Sequence, residues 1–167
     1  WTIFKKEVNT FFSSLIGYIA IAVFLVILGL FVFVFADSSI LENKFATLAP
    51  LFDTAPLVFL FLIPAITMRL FAEEQQTGTI EFLATKPVRE IDIILGKYFA
   101  ALAVVLFAIF PTVLYYYTVY QLGSPQGNLD AGAIFGSYLG LFLLAAIFAS
   151  IGIFASSLSS NQILAFL

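Results

Sequence analysis

The chain alternates long uncharged blocks with short polar ones. Residues 14–36 hold no charged side chain over 23 positions, enough for a helix to cross a hydrocarbon layer of about 30 Å. The competing reading is a signal peptide with Lys5 and Lys6 as its basic region, but the apolar run is too long and Phe35–Ala36–Asp37 offers no small-x-small cleavage site, so a true span is expected. The second block, 51–70, is uncharged from Thr54 to Met68 and contains Pro64. Proline withdraws a donor from the helix ladder, so a kink supported by neighbouring helices is expected there. The third block runs from Tyr98 to Leu129, too long for one crossing, and S-P-Q-G-N at 124–128 marks its exit, giving a span at 98–121. The fourth begins at Ala131 and is divided by the polar cluster Ser156–Asn161 into a span at 131–156 and the start of a fifth at 161–167. The pattern predicts an all-α, polytopic transmembrane helical bundle of at least four spans plus the beginning of another.

The polar positions give direction to this bundle. In residues 1–13, Trp1, Phe4, Val8 and Phe11/Phe12 recur at near-helical spacing with Lys5, Lys6 and Asn9 between them. An amphipathic helix lying in the membrane interface is expected, the alternative being a plain extension of the first span. Lys5, Lys6, Arg69, Lys86, Arg89 and Lys97 fall on one side of the predicted spans, against Lys44 alone on the other. The positive-inside rule makes the larger set cytoplasmic, with the N-terminus inside and loops 37–50 and 122–130 outside.

Between spans two and three, residues 71–97 form the most structured polar stretch. Thr77–Gly78 breaks the emerging helix, Thr79 can cap a short helix at Ile80–Thr85 with Glu81 in its first turn, and Pro87 opens the next helix. Ile80, Phe82 and Leu83 would be poorly covered there, so they are either a docking surface or part of a solvated loop.

Composition narrows the chemistry. Apolar residues make up 62% and charged residues 10%, against about a quarter charged in soluble domains, so the lipid bilayer is the solvent this chain fits. A net charge of −3 gives no case for a nucleic-acid partner. Cysteine and histidine are absent, which removes thiolate and imidazole catalysis, disulfides and Cys/His metal sites. The chain lacks an initiator Met and stops within an apolar run, as expected of a piece of a longer protein.

The runs P-A-I-T-M-R (64–69), F-A-E-E (71–74), G-T-I-E-F-L (78–83), K-P (86–87) and L-G-K-Y (95–98) together resemble the segment joining spans two and three in ABC-2-type permeases. The stretches at 11–31, 48–56, 121–132 and 151–163 extend the resemblance to the gliding-motility-associated permease subunit (GldF type) of Bacteroidetes. It implies a six-span permease, paired with a second permease subunit (a second copy or a relative), in the bacterial cytoplasmic (inner) membrane. It also implies a separate cytoplasmic ATPase that docks on a coupling helix. On this chain the ATPase-coupling role falls on Glu73, Glu74, Gly78, Thr79, Glu81, Phe82 and Leu83. No phosphate-binding loop occurs in the sequence, so ATP would sit on the partner, with no cofactor or metal on this chain.

Gly132, Gly136 and Gly140 form a repeated G-x-x-x-G, followed by Ala145, Ala149, Gly152 and Ser156. Small residues at this spacing let helices approach closely in lipid, and packing within the chain is expected in preference to a subunit interface. The tyrosines at 115–117 and 120 suit an interfacial aromatic belt. An intramembrane protease of the paired-glutamate type would need Arg at 78, where Gly stands. A secondary transporter would be expected to carry an ionisable group near mid-membrane, and none is present. That reading and a non-transporting scaffold of a motility or secretion assembly stay open as alternatives to an exporter subunit.

Overall fold

A computed structural model describes residues 1–35, 40, 46–79, 89–124, 127–159 and 161–166. Among these every regular element is helical: α1 (Thr2–Ser13), α2 (Leu15–Phe33), α3 (Ala49–Gln76), α4 (Glu90–Ile109), a 3-10 turn (Phe110–Thr112), α5 (Val113–Leu122), α6 (Ala131–Leu158) and α7 (Gln162–Phe166). Four stretches are long and apolar enough to cross a membrane: Leu15–Phe33, Ala49–Gln76, Glu90–Leu122 and Ala131–Leu158. The architecture is thus the all-α, multi-pass bundle that the sequence pattern predicts.

Helix α3 is the axis of the bundle, packed by α2, α6, α7 and, less extensively, α4. Its inward stripe of Ala55, Phe59, Leu62, Ile63 and Ile66 meets Phe24 and Leu28 of α2, Val104, Val105 and Ala108 of α4, and Ala145 and Ala149 of α6 in one core. The ring of Phe24 stacks on that of Phe59 at 5.6 Å. The outward faces stay apolar, with Val26, Phe61, Phe107, Phe135, Leu143 and Ile151 all exposed. A helix that is apolar all round belongs in lipid, where such a face needs no cover.

Two prolines lie inside α3, Pro56 and Pro64, and the helix continues through both. Near Pro64 the Thr67 hydroxyl donates to the Ile63 carbonyl at 3.0 Å. Pro64 itself lines a groove of about 230 Å³ with Leu60, Gly152 and Phe166. The helix expected to lead from Pro87 into the third crossing begins, among the described residues, at Glu90, and within the crossing Pro111 imposes a 3-10 turn that the sequence reading did not place. That break is held from α6, where Tyr138 Oη lies 3.1 Å from Thr112 Oγ1 and donates to the Thr112 carbonyl at 3.2 Å.

The small-residue stripe of α6 is divided in a way the sequence reading did not foresee. Leu141, Ala145, Ala149, Gly152, Ile153 and Ser156 are buried, and α6 packs mainly on α3. A β-carbon at Gly152 would collide with the Thr67 hydroxyl, whereas one at Gly136 or Gly140 would meet nothing within 4 Å. Of the stripe expected to pack within the chain, the half at Ala145, Ala149, Gly152 and Ser156 does so, whereas Gly136 and Gly140 meet nothing among the described residues. The reason is helical pitch. At 3.6 residues per turn a four-residue repeat drifts by about 40° per step, which puts Gly136 about 140° round the helix from Leu141. Gly132 serves a local purpose: its amide, with that of Ala133, donates to the Asp130 carboxylate that caps α6, at 3.0 and 3.1 Å.

Candidate functional site

The described polar residues that flank the connection between spans two and three lie at one end of the bundle. Helix α3 runs on to Gln76, and Thr77 closes it with its backbone N–H on the Glu73 and Gln75 carbonyls. Gly78 then takes φ +69, a left-handed turn that favours glycine after a helix. Next to it the Thr77 and Thr79 hydroxyls lie 2.9 Å apart. Both Gly78 and Thr79 are exposed. The expected short helix Ile80–Thr85, with Glu81, Phe82 and Leu83, lies outside the described residues.

Glu73 and Glu74 are neighbours with different duties. Glu73 faces Arg69, whose Nε and Nη2 donate to its two oxygens at 3.0 and 3.3 Å. The remaining Nη1 of Arg69 reaches Ser14 Oγ at 3.3 Å. Ser14 is the extended residue between α1 and α2, and its hydroxyl also accepts from the Gly17 amide, capping α2. Glu74 turns the other way, is buried, and accepts from Lys6 Nζ at 2.6 Å.

Lys97 completes this group and was not singled out by the sequence. It is wholly buried, a rare state for lysine. Its Nζ donates to Glu7 Oε1 at 2.9 Å and to the Leu70 carbonyl. The same Nζ stands 2.9 Å from Glu74 Oε2, off the line of a hydrogen bond, and 4.8 Å above the Phe71 ring. An ammonium stripped of water is tolerable only with such partners. Two cations, Lys6 and Lys97, thus face two anions, Glu7 and Glu74, and the cluster is neutral. Burial lowers the proton affinity of Lys6, but hydrogen bonding to Glu74 and the charges of Glu7 and Glu74 outweigh it and raise its pKa above the ordinary lysine value.

Helix α1 is therefore not only an interfacial amphipath. It packs chiefly along α4, and at the closest point a β-carbon on Gly96 would meet Ile3 Cγ2 at 3.1 Å. Phe12 sits edge-on to Phe107 of α4 at 4.8 Å. Trp1, placed on the apolar stripe by spacing, is exposed and stacks on Phe4 at 5.1 Å.

From the other side, α6 is pinned to the same end of α3. The buried Ser156 hydroxyl accepts from the Phe71 and Ala72 amides, both at 3.1 Å, and donates to the Met68 carbonyl at 3.0 Å. Gln75 Nε2 adds a bond to the Ser157 carbonyl at 2.8 Å. The runs at 64–74 and 95–98 thus form a junction of α1, α3, α4 and α6 in which Arg69, Glu73, Glu74 and Lys97 each face an opposite charge.

The family model described as "ABC-2 family transporter protein" matches residues 1–166. The chain belongs to the ABC-2 transporter family. Among curated proteins and among solved structures, nothing matches. An ABC-2 chain is a transmembrane permease of an ABC exporter, a transport subunit in a multi-pass membrane setting with an ATPase as partner. In this ABC-2 chain the junction draws on residues far apart in sequence: Glu7 and Lys97 are 90 positions apart. One signal was available. Glu7 lies four residues from both Ile3 and Phe11, on the inward stripe of α1, where a charge needs a buried partner.

Proposed function

We propose that this chain is the permease subunit of a bacterial inner-membrane exporter, and that the junction transmits ATP-driven motion from a separate cytoplasmic ATPase into the spans. The observation that carries this reading is that the described residues flanking the polar segment between spans two and three, Arg69 to Thr79 and Lys97, lie at one interlocked end of the bundle. A push delivered at Thr79 or Arg89 would reach α3 through Gly78, α4 through its first residue Glu90, α1 through Glu74 and Lys97, and α6 through Ser156. The outer ends of the spans carry no comparable network among the described residues. The positive-inside rule supports a cytoplasmic position for this end. Glu73, Glu74, Gly78 and Thr79 shape the exit of the coupling segment, and Glu81, Phe82 and Leu83 are its ATPase contacts by resemblance. Sequence likeness to the gliding-motility-associated permeases supports that subgroup and a second permease subunit as partner.

The test is co-purification. Phe82→Asp should abolish recovery of the ATPase with the permease while insertion and yield stay unchanged; an ATPase that still co-purifies overturns the coupling assignment. Permease-dependent stimulation of ATP hydrolysis in vesicles separates an exporter from a scaffold, which would give none.

A further inference from the structure

Resting on that reading, we infer that the dipeptide Lys6–Glu7 latches α1 onto the ends of α3 and α4, making both positioning residues that oblige α1 to travel with those two helix ends as one lever. Helix α1 contributes one cation and one anion, α3 the anion Glu74 and α4 the cation Lys97. Lys6 meets Glu74 at 2.6 Å, Glu7 meets Lys97 at 2.9 Å, and Lys97 meets Glu74 at 2.9 Å. Each helix is thus bound to the other two through opposite charges.

A helix that only floats at a lipid surface turns its charges to water and its apolar face to acyl chains. Helix α1 instead buries a glutamate. A buried ion pair is a poor way to add stability, because apolar residues of equal volume do as well or better, but it fixes register. Close packing of Ile3 on Gly96 and the Arg69 bond to Ser14 tie the two ends of α1 to the same body.

Residues 1–167 contain no cysteine, which permits a covalent test in the complete permease with any cysteine outside this stretch replaced by serine, reconstituted with its ATPase in phosphatidylethanolamine–phosphatidylglycerol vesicles. The double variant K6Q/E7Q removes the two charges that α1 contributes to the cluster and leaves the neutral Glu74–Lys97 pair in place. Permease-dependent ATP hydrolysis should fall about tenfold, with co-purification of the ATPase unchanged. The pair Ile3→Cys and Gly96→Cys then offers a substitute latch. The 3.2 Å between a β-carbon at Gly96 and that of Ile3 is a few tenths of an ångström short of the disulfide spacing of about 3.5–4.5 Å.

In the wild-type background, oxidation of this pair should leave hydrolysis unchanged. In K6Q/E7Q it should restore the rate to within about twofold, and reductant should remove it again. Unchanged hydrolysis in K6Q/E7Q, a staple that forms without restoring it, or reversible inhibition of the stapled wild type would each overturn the latch. If Phe82→Asp releases the ATPase while these variants behave as wild type, the latch fails and the coupling reading stands. If Phe82→Asp retains the ATPase, the coupling reading itself fails.

Discussion

A β-carbon at Gly152 would run into the Thr67 hydroxyl, with Thr67 Cβ only 3.0 Å away. Neither side can yield cheaply, because Thr67 is wholly buried and its hydroxyl is bonded to the Ile63 carbonyl. Gly152→Ala should therefore destabilise the protein by about 1–3 kcal/mol, the usual cost of overpacking. Thr67→Ala in the same chain should recover part of that loss in a thermal unfolding series in detergent, and the absence of any recovery would place the strain elsewhere. Ser156 is the opposite case, a side chain that must be present. Ser156→Ala leaves the Met68 carbonyl without its hydroxyl donor and the Phe71 and Ala72 amides without their hydroxyl acceptor. A cost of about 1–3 kcal/mol follows, measurable in the same series. Neither residue could be ranked from the sequence, where Gly152 is one of several small residues and Ser156 one of a run of serines. Their neighbours are about 85 positions away, and only the packed helices decide which of them is crowded.

At the scale of elements, the helices themselves were legible because lipid leaves little choice. A backbone without water must satisfy itself, so an uncharged run of sufficient length becomes a helix whatever its neighbours do. The faces of those helices were less legible. In water a polar stripe marks the outside, but on α6 both sides are apolar, and small residues at four-residue spacing pointed to Gly132, Gly136 and Gly140 as readily as to Ala145, Ala149 and Gly152. Pitch then carried the first set away from α3. This contrast gives a test. Gly136→Ile should leave stability within about 0.5 kcal/mol of wild type, as for substitutions away from packed features. Ala149→Ile, in a wholly buried position, should cost about 1–3 kcal/mol through overpacking. Equal losses at both positions would mean that the outer half of α6 packs against its own chain after all. The same reasoning explains why α1 was read too simply: apolar spacing pointed to an amphipathic helix, but a glutamate on its inward face finds its lysine only when α4 is in place.

At the scale of the whole molecule, the polarity of the bundle is the property on which the proposed function depends. The interlocked end holds Lys6, Arg69 and Lys97, bound to Glu7, Glu73 and Glu74, so within this set local charge is balanced. The positive-inside argument instead rests on the whole basic count, six of seven on this side, since acidic residues contribute little to orientation. Two exposed positions sit at opposite ends: Thr79, just beyond the end of α3, and Asn128, before the Asp130 cap of α6. Because residues 1–167 contain no cysteine, Thr79→Cys and Asn128→Cys each give a single reporter thiol once any cysteine in the rest of the permease is replaced by serine. A membrane-impermeant maleimide added to intact cells should label Asn128→Cys and spare Thr79→Cys, and inverted vesicles should reverse the pattern. The reversed result would put the junction of α1, α3, α4 and α6 on the outer face, out of reach of any cytoplasmic ATPase. The charge cluster would then have to be read as a structural clasp alone.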